Sequence, residues 1–185
     1  SGERRVTFNI IAKPLTQDDV SISLIENQIF TGNPITPKPT VKYGDETLEE
    51  NTDYELIYAD NTGAGTATIT INFKGNYSGT ATTNFEIIAK DLTNDDNLTS
   101  SVIPAQTYTG DPIEPKPEIK YGDKVLEEGK DYTLTYENNT NIGNATVKVE
   151  FIGDYTGETE YPFVIQVKEA NADNTVISDI EAAAY

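Results

Sequence analysis

The chain contains no cysteine, histidine, methionine or tryptophan among its 185 residues. Without cysteine there are no disulfides, no thiolate metal sites and no thiol nucleophile. Without histidine or cysteine, neither a Ser-His-Asp nor a Cys-His arrangement can be assembled. These absences leave the cellular compartment open. No apolar run reaches the length that spans a bilayer as a helix, and the start shows no signal-peptide pattern, so export would rest on a signal outside this sequence. Basic residues are also scarce: 13 Lys and Arg stand against 31 Asp and Glu, a formal net charge of −18. Such a surface repels phosphate backbones and anionic lipid, which argues against nucleic acid and anionic membrane surfaces as partners, and without a spanning run no membrane insertion is expected. The acidity has two readings, solubility or divalent-cation binding, the second because many of the acids sit with Asn in loop-like stretches.

What the chain does have, it has twice. Residues 30–85 and 108–163 align without a gap at an offset of 78, with 28 of 56 positions identical. Phe30-Thr31-Gly32 returns as Tyr108-Thr109-Gly110, Asp53-Tyr54 as Asp131-Tyr132, and Gly75-Asn76-Tyr77-Ser78-Gly79 as Gly153-Asp154-Tyr155-Thr156-Gly157. A period this long in a chain this short indicates tandem copies of one small domain. A shorter segment occurs three times: Phe8-Asn9-Ile10-Ile11-Ala12-Lys13, Phe85-Glu86-Ile87-Ile88-Ala89-Lys90, and more weakly Phe163-Val164-Ile165-Gln166-Val167-Lys168. The expected division is residues 1–12 as the last strand of a preceding unit, 13–89 and 90–168 as two units, and 169–185 as a tail or the start of another domain. Residues 6–12 could instead begin the first unit. Val176, Ile177, Ile180 and Ala184 fall near helical spacing in the tail.

Each unit reads as antiparallel β. Ala67, Ile69, Ile71 and Phe73 alternate with polar residues, and their counterparts Ala145, Val147, Val149 and Phe151 hold the same parity. Substitution between copies thus respects one face, which should point inward. Tyr54, Leu56 and Tyr58 form a second inward row, with Phe85 and Ile87 continuing the core. Tyr43-Gly44-Asp45 and Tyr121-Gly122-Asp123 are expected as tight hairpin turns. Asn51 exchanges with Gly129, and Gly63 with Asn141. Both exchanges predict a residue at positive φ, which Gly and Asn tolerate best. The Pro-rich stretches at 34–39 and 112–117 should be extended and guard a sheet edge. Many short strands with frequent turns point to a sandwich, immunoglobulin-like in type. A β-grasp would need a helix that residues 1–168 do not offer.

This pattern resembles the tandem Ig-like β-repeats of secreted and surface-anchored proteins of Gram-positive gut bacteria. The matching residues are Tyr108-Thr109-Gly110, Leu126 with Gly129, Asp131-Tyr132, Tyr136 with Asn138-Asn139, Gly143, Ala145, Gly153-Asp154-Tyr155, and Phe163 with Ile165. The first copy departs at Phe30, Asn51 and Ala59-Asp60, and the likeness covers nearly all of residues 13–168. The resemblance implies an all-β fold of two tandem Ig-like antiparallel sandwiches, in a large exported protein at or beyond the cell surface. It implies a spacer or adhesive module and transfers no catalytic residue.

Candidate sites follow from the residues themselves. Glu49-Glu50 and Glu127-Glu128 are repeated carboxylate pairs that could in principle serve glycosidase chemistry. Each precedes a turn in a small module, so a solvated turn is the simpler reading and no enzyme is expected. Asp18, Asp19, Asp95 and Asp96 lie at the head of each unit, where a calcium ion would find oxygen ligands. The competing reading is turn residues capping strand ends, and no cofactor is otherwise expected. Tyr77 and Tyr155 sit in Gly-rich turns and could stack on a sugar ring or a protein ligand, or fold back over the sandwich. Lys42 and Lys120 recur near strands and raise an intramolecular isopeptide bond, known in some Gram-positive surface sandwiches, for which nothing in the sequence fixes the geometry. The expected function is a non-catalytic stalk, with neighbouring domains of the same polypeptide as partners. The alternative is an adhesin segment that binds host glycan or matrix protein through repeated weak sites.

Overall fold

A computed structural model describes residues 3–169; the helical spacing noted in the tail, read as a tail or the start of another domain, lies outside them. The described residues are all β, with one 3-10 turn at Gln17–Asp19 and no α-helix. In chain order the first repeat supplies β1 (Lys13–Pro14), β2 (Val20–Ile22), β3 (Gln28–Ile29), β4 (Val41–Tyr43), β5 (Glu46–Thr47), β6 (Tyr54–Ala59), β7 (Gly65–Phe73), β8 (Tyr77–Ser78) and β9 (Thr80–Ile88). The second repeats the series with β10 (Lys90–Asp91), β11 (Leu98–Ser100), β12 (Gln106–Thr107), β13 (Ile119–Tyr121), β14 (Lys124–Val125), β15 (Tyr132–Glu137), β16 (Gly143–Phe151), β17 (Tyr155–Thr156) and β18 (Glu158–Gln166). By contact the described residues form two compact units, residues 3–91 with Gly153–Thr156, and Leu92–Ile152 with residues 157–169. Residues 3–12 lie outside every strand, and Lys13 opens β1.

In the first unit a four-stranded sheet, ordered β3-β9-β7-β6, faces a three-stranded one, β2-β4-β5, in a β-sandwich-like arrangement. Between them lie Leu15, Val41, Leu48, Tyr54, Ile71, Phe73 and Ala81. Alternation decides this: Ala67, Ile69 and Ile71 are fully buried while Thr66 is exposed. Burying each of the larger side chains contributes about 1.5–3 kcal/mol, the main force holding the two sheets together. The second unit has the same plan, β12-β18-β16-β15 facing β11-β13-β14, with Ile119, Val147, Val149, Phe163 and Ile165 in its core.

Hydrogen bonding along β9 explains how its free side is guarded. Phe30 N–H donates to Ile88 O, and Thr82 N–H donates to Gln17 Oε1 at 2.7 Å, so even-numbered residues of β9 turn their backbone groups away from β7. β3 covers only Ile87 and Ile88 on that side. In the second unit Pro162 occupies the position of Asn84, opposite Thr146 of β16. Its missing N–H falls on the open side, so proline costs no ladder bond there and blocks strand addition. The Pro-rich stretches shelter the opposite edge. Ile35 N–H donates to Asn61 O, Asn61 Nδ2 to Ile35 O, and Tyr58 Oη to Pro37 O, and each bond has its twin among Ile113, Asn139, Tyr136 and Pro115.

The turns hold one confirmation and one correction. Asn51 and Gly129 both adopt positive φ, 69° and 84°. Gly63 and Asn141 do not. In that loop the left-handed residues are Asp60 and Asn138, with Gly65 and Gly143 at the strand entry. Gly63 is small for a different reason: a Cβ there would come within 3.1 Å of Asp154 Oδ1.

Candidate functional site

The two carboxylate pairs sit in a five-residue turn of one design. In the second unit Asp131 N–H donates to Glu127 O at 2.8 Å, and Asp131 Oδ2 accepts from Glu127 N–H at 2.9 Å. Gly129 N–H closes on Tyr132 O at 2.7 Å, which requires the left-handed residue. Asp131 is buried, and its other oxygen lies 3.3 Å from Lys124 Nζ. The first unit repeats these bonds with Asp53, Glu49, Asn51 and Tyr54, and has Glu46 where Lys124 stands. Glu50 and Glu128 turn outward to Lys38 and Lys116, each 2.7 Å away. The lysines are held above their ordinary range by these carboxylates. Glu49 and Glu127 thus enter the turn through their backbone groups, while the carboxylates of Glu50 and Glu128 are held in surface ion pairs. An open groove lies beside Lys116, Glu128, Tyr136 and Pro112.

At the head of the first unit, Asp19 Oδ2 accepts from Thr16 N–H at 2.8 Å and from Thr16 Oγ1 at 2.7 Å. These two bonds, with a smaller contribution from Lys13, hold its carboxyl below the usual range. Asp18 is exposed. The second unit has no 3-10 turn at this place: Asp95 Oδ1 accepts from both Asn97 N–H and Nδ2 at 3.0 Å, and Asp96 is exposed. Among the described residues no group of three or more carboxylates is gathered as for a metal ion.

The two glycine-rich-turn tyrosines occupy different surroundings. Tyr155 is buried, its ring edge-on to Phe30 with centroids 5.4 Å apart, both in the first compact unit. Beside it Asp154 Oδ1 accepts from Ala64 N–H at 2.7 Å. Tyr77 is half-buried and tilts against Tyr43, 6.1 Å between centroids. Lys13 donates to the Tyr43 hydroxyl and lies 4.2 Å from that ring's centroid, which raises the lysine's pKa. Desolvation pushes the Tyr77 hydroxyl up, helped by Glu46. Of the two candidates, Tyr77 is the one with ring surface left for a ligand. Sequence reasoning missed Tyr43 and Lys13 as its companions. The parallel pairing of Lys13 with Tyr77 brings them together, and no local pattern announces a two-residue parallel bridge.

Lys42 is exposed, and Lys120 pairs with Glu118 at 2.8 Å. No helix among the described residues is long and apolar enough to cross a membrane. A scan against protein-family models finds no match, and a search of curated proteins finds none either.

Proposed function

We propose that the two units are non-catalytic spacer modules of a bacterial extracellular or cell-surface protein, with neighbouring domains of the same polypeptide as partners. One observation carries this reading. Three pairs of polar residues kept in both copies have structural work in both: Asp53 and Asp131 close a turn, Asn61 and Asn139 hold a Pro-rich stretch, and Lys38 and Lys116 pair with a turn carboxylate. Duplication has kept what holds the scaffold. Repetition of such units extends a chain by fixed increments. The bacterial and extracellular parts of the proposal rest on the resemblance of the repeat motifs.

The second reading, an adhesin segment for host glycan or matrix protein, draws on the half-open Tyr43–Tyr77 pair beside Lys13, since aromatic faces with a nearby cation suit sugar rings and peptide chains. Binding of the purified chain to immobilised glycans and matrix proteins separates the two. The spacer reading expects no saturable binding from folded protein. Saturable binding lost on Tyr77→Ala would replace it with the adhesin.

A further inference from the structure

Residues 4–12 have the sequence of a strand of known design but belong to none of the strands described. Five of the six residues in Phe8-Asn9-Ile10-Ile11-Ala12-Lys13 are identical to those of Phe85-Glu86-Ile87-Ile88-Ala89-Lys90. In the second setting they form the end of β9, hydrogen-bonded between β7 and β3, with Phe85 and Ile87 at 3% and 2% exposure. In the first setting the same side chains lie in solvent: Phe8 is 80% exposed, Ile10 88% and Val6 83%. Val6, Phe8 and Ile10 share one parity, and Thr7 and Asn9 take the other, so the segment has one apolar face and one polar face, as β9 does. The connection downstream is also the same. A single alanine, Ala89, separates β9 from β10, and Ala12 stands in that place before β1.

We infer that residues 4–12 are the closing strand of a further unit of this fold placed ahead of Lys13, where they occupy the position that β9 holds between β7 and β3. The partner is defined by chemistry: a sandwich of this repeat type with an apolar slot for Phe8 and Ile10 and free backbone groups on both sides. The register is fixed by the sequence, Phe8 standing for Phe85 and Glu3 for Thr80. The inference holds whether the array spaces or adheres.

The test extends the intact chain. Residues 13–77 are fused ahead of Ser1, where Ser1-Gly2 stands in for Ser78-Gly79 and the repeat continues in register. Hydrogen exchange is then read at the amides of residues 6–11. In the chain as it is, these should exchange at unprotected rates. In the extended chain they should slow by at least about a hundredfold, as core strands do. Phe8→Asp with Ile10→Asp should abolish that protection and leave both existing units folded. Unchanged fast exchange at residues 6–11 overturns the inference. A parallel fusion, with residues 13–89 placed directly before Lys13, locates such a failure. Protection in that fusion alone puts the fault in the strand. Protection in neither means no unit of this type stands ahead of Lys13, which overturns it equally.

Discussion

Asp131 gives the sharpest test of the reasoning, because Asp53 serves as an internal control. Its carboxylate is buried, accepts from Glu127 N–H at 2.9 Å and lies 3.3 Å from Lys124 Nζ. Asp131→Ala takes the acceptor from that part-buried amide, which costs about 1–3 kcal/mol. The lost ion pair adds about 0–1 kcal/mol, since Lys124 is 44% exposed and its charge is screened. A total of about 1–4 kcal/mol corresponds to a fall of roughly 4–30 °C in the melting temperature of a unit this small. Asp53 is half-buried, makes the same bond to Glu49 N–H and has no lysine at the Lys124 position, so Asp53→Ala should cost about 1–2 kcal/mol. Asp131→Asn keeps an acceptor oxygen and should fall between wild type and Asp131→Ala. Far-UV circular dichroism during urea unfolding gives the energies, and exchange mass spectrometry assigns each to its unit. A loss below about 0.5 kcal/mol for Asp131→Ala, or a larger loss for Asp53→Ala, would refute the account of this turn.

Three further expectations follow from the sheets and turns. Asn84→Pro should change stability by no more than about 1 kcal/mol, whereas Thr83→Pro, whose N–H faces β7, should cost about 3 kcal/mol or more; unfolding of the two variants side by side decides it. Gly79 combines φ +104° with a Cβ position 2.3 Å from Leu15 O, so Gly79→Ala should lower the first unit's stability by at least about 1–3 kcal/mol, read from its unfolding midpoint. Asp19 has its folded pKa depressed by Thr16, so its contribution is complete above the ordinary aspartate value of about 4 and is lost as pH falls through the lower folded value. Carboxyl carbon shifts in an acid titration should show Asp19 protonating below the ordinary aspartate range, and Thr16→Val, which removes the hydroxyl bond and keeps the backbone one, should bring it part of the way back.

The sheets were legible in the sequence because strand parity is a two-residue signal, and the duplication supplied a second, independent reading of each face. Ile69 and Val147 differ in identity and agree in direction, and both are buried. The Asn51–Gly129 exchange marked a positive-φ residue for the same reason. The Gly63–Asn141 exchange misled because glycine answers two demands, a left-handed backbone or the lack of a Cβ, and Gly63 answers the second. Tyr77 and Tyr155 show the other limit. They hold one position in the repeat, yet one ring is covered by Phe30 and the other leans on Tyr43. Burial depends on residues far away in the chain, and no local pattern carries that information. The role of Pro162 likewise needed the strand's direction: the same residue one position earlier would break a bond to β16.

The parallel pairing of β3 with β9 sets how each unit meets tension. Gln28 and Ile29 lie beside Ile87 and Ile88, with the chain running the same way in both strands. Tension that reaches β3 from its start, past β1 and β2, and β9 from its finish draws the two strands in opposite directions. The bonds between them are then loaded in shear, side by side, and must fail together; an antiparallel pair pulled from its open end would unzip one bond at a time. Gln106 and Thr107 beside Ile165 and Gln166 give the second unit the same latch.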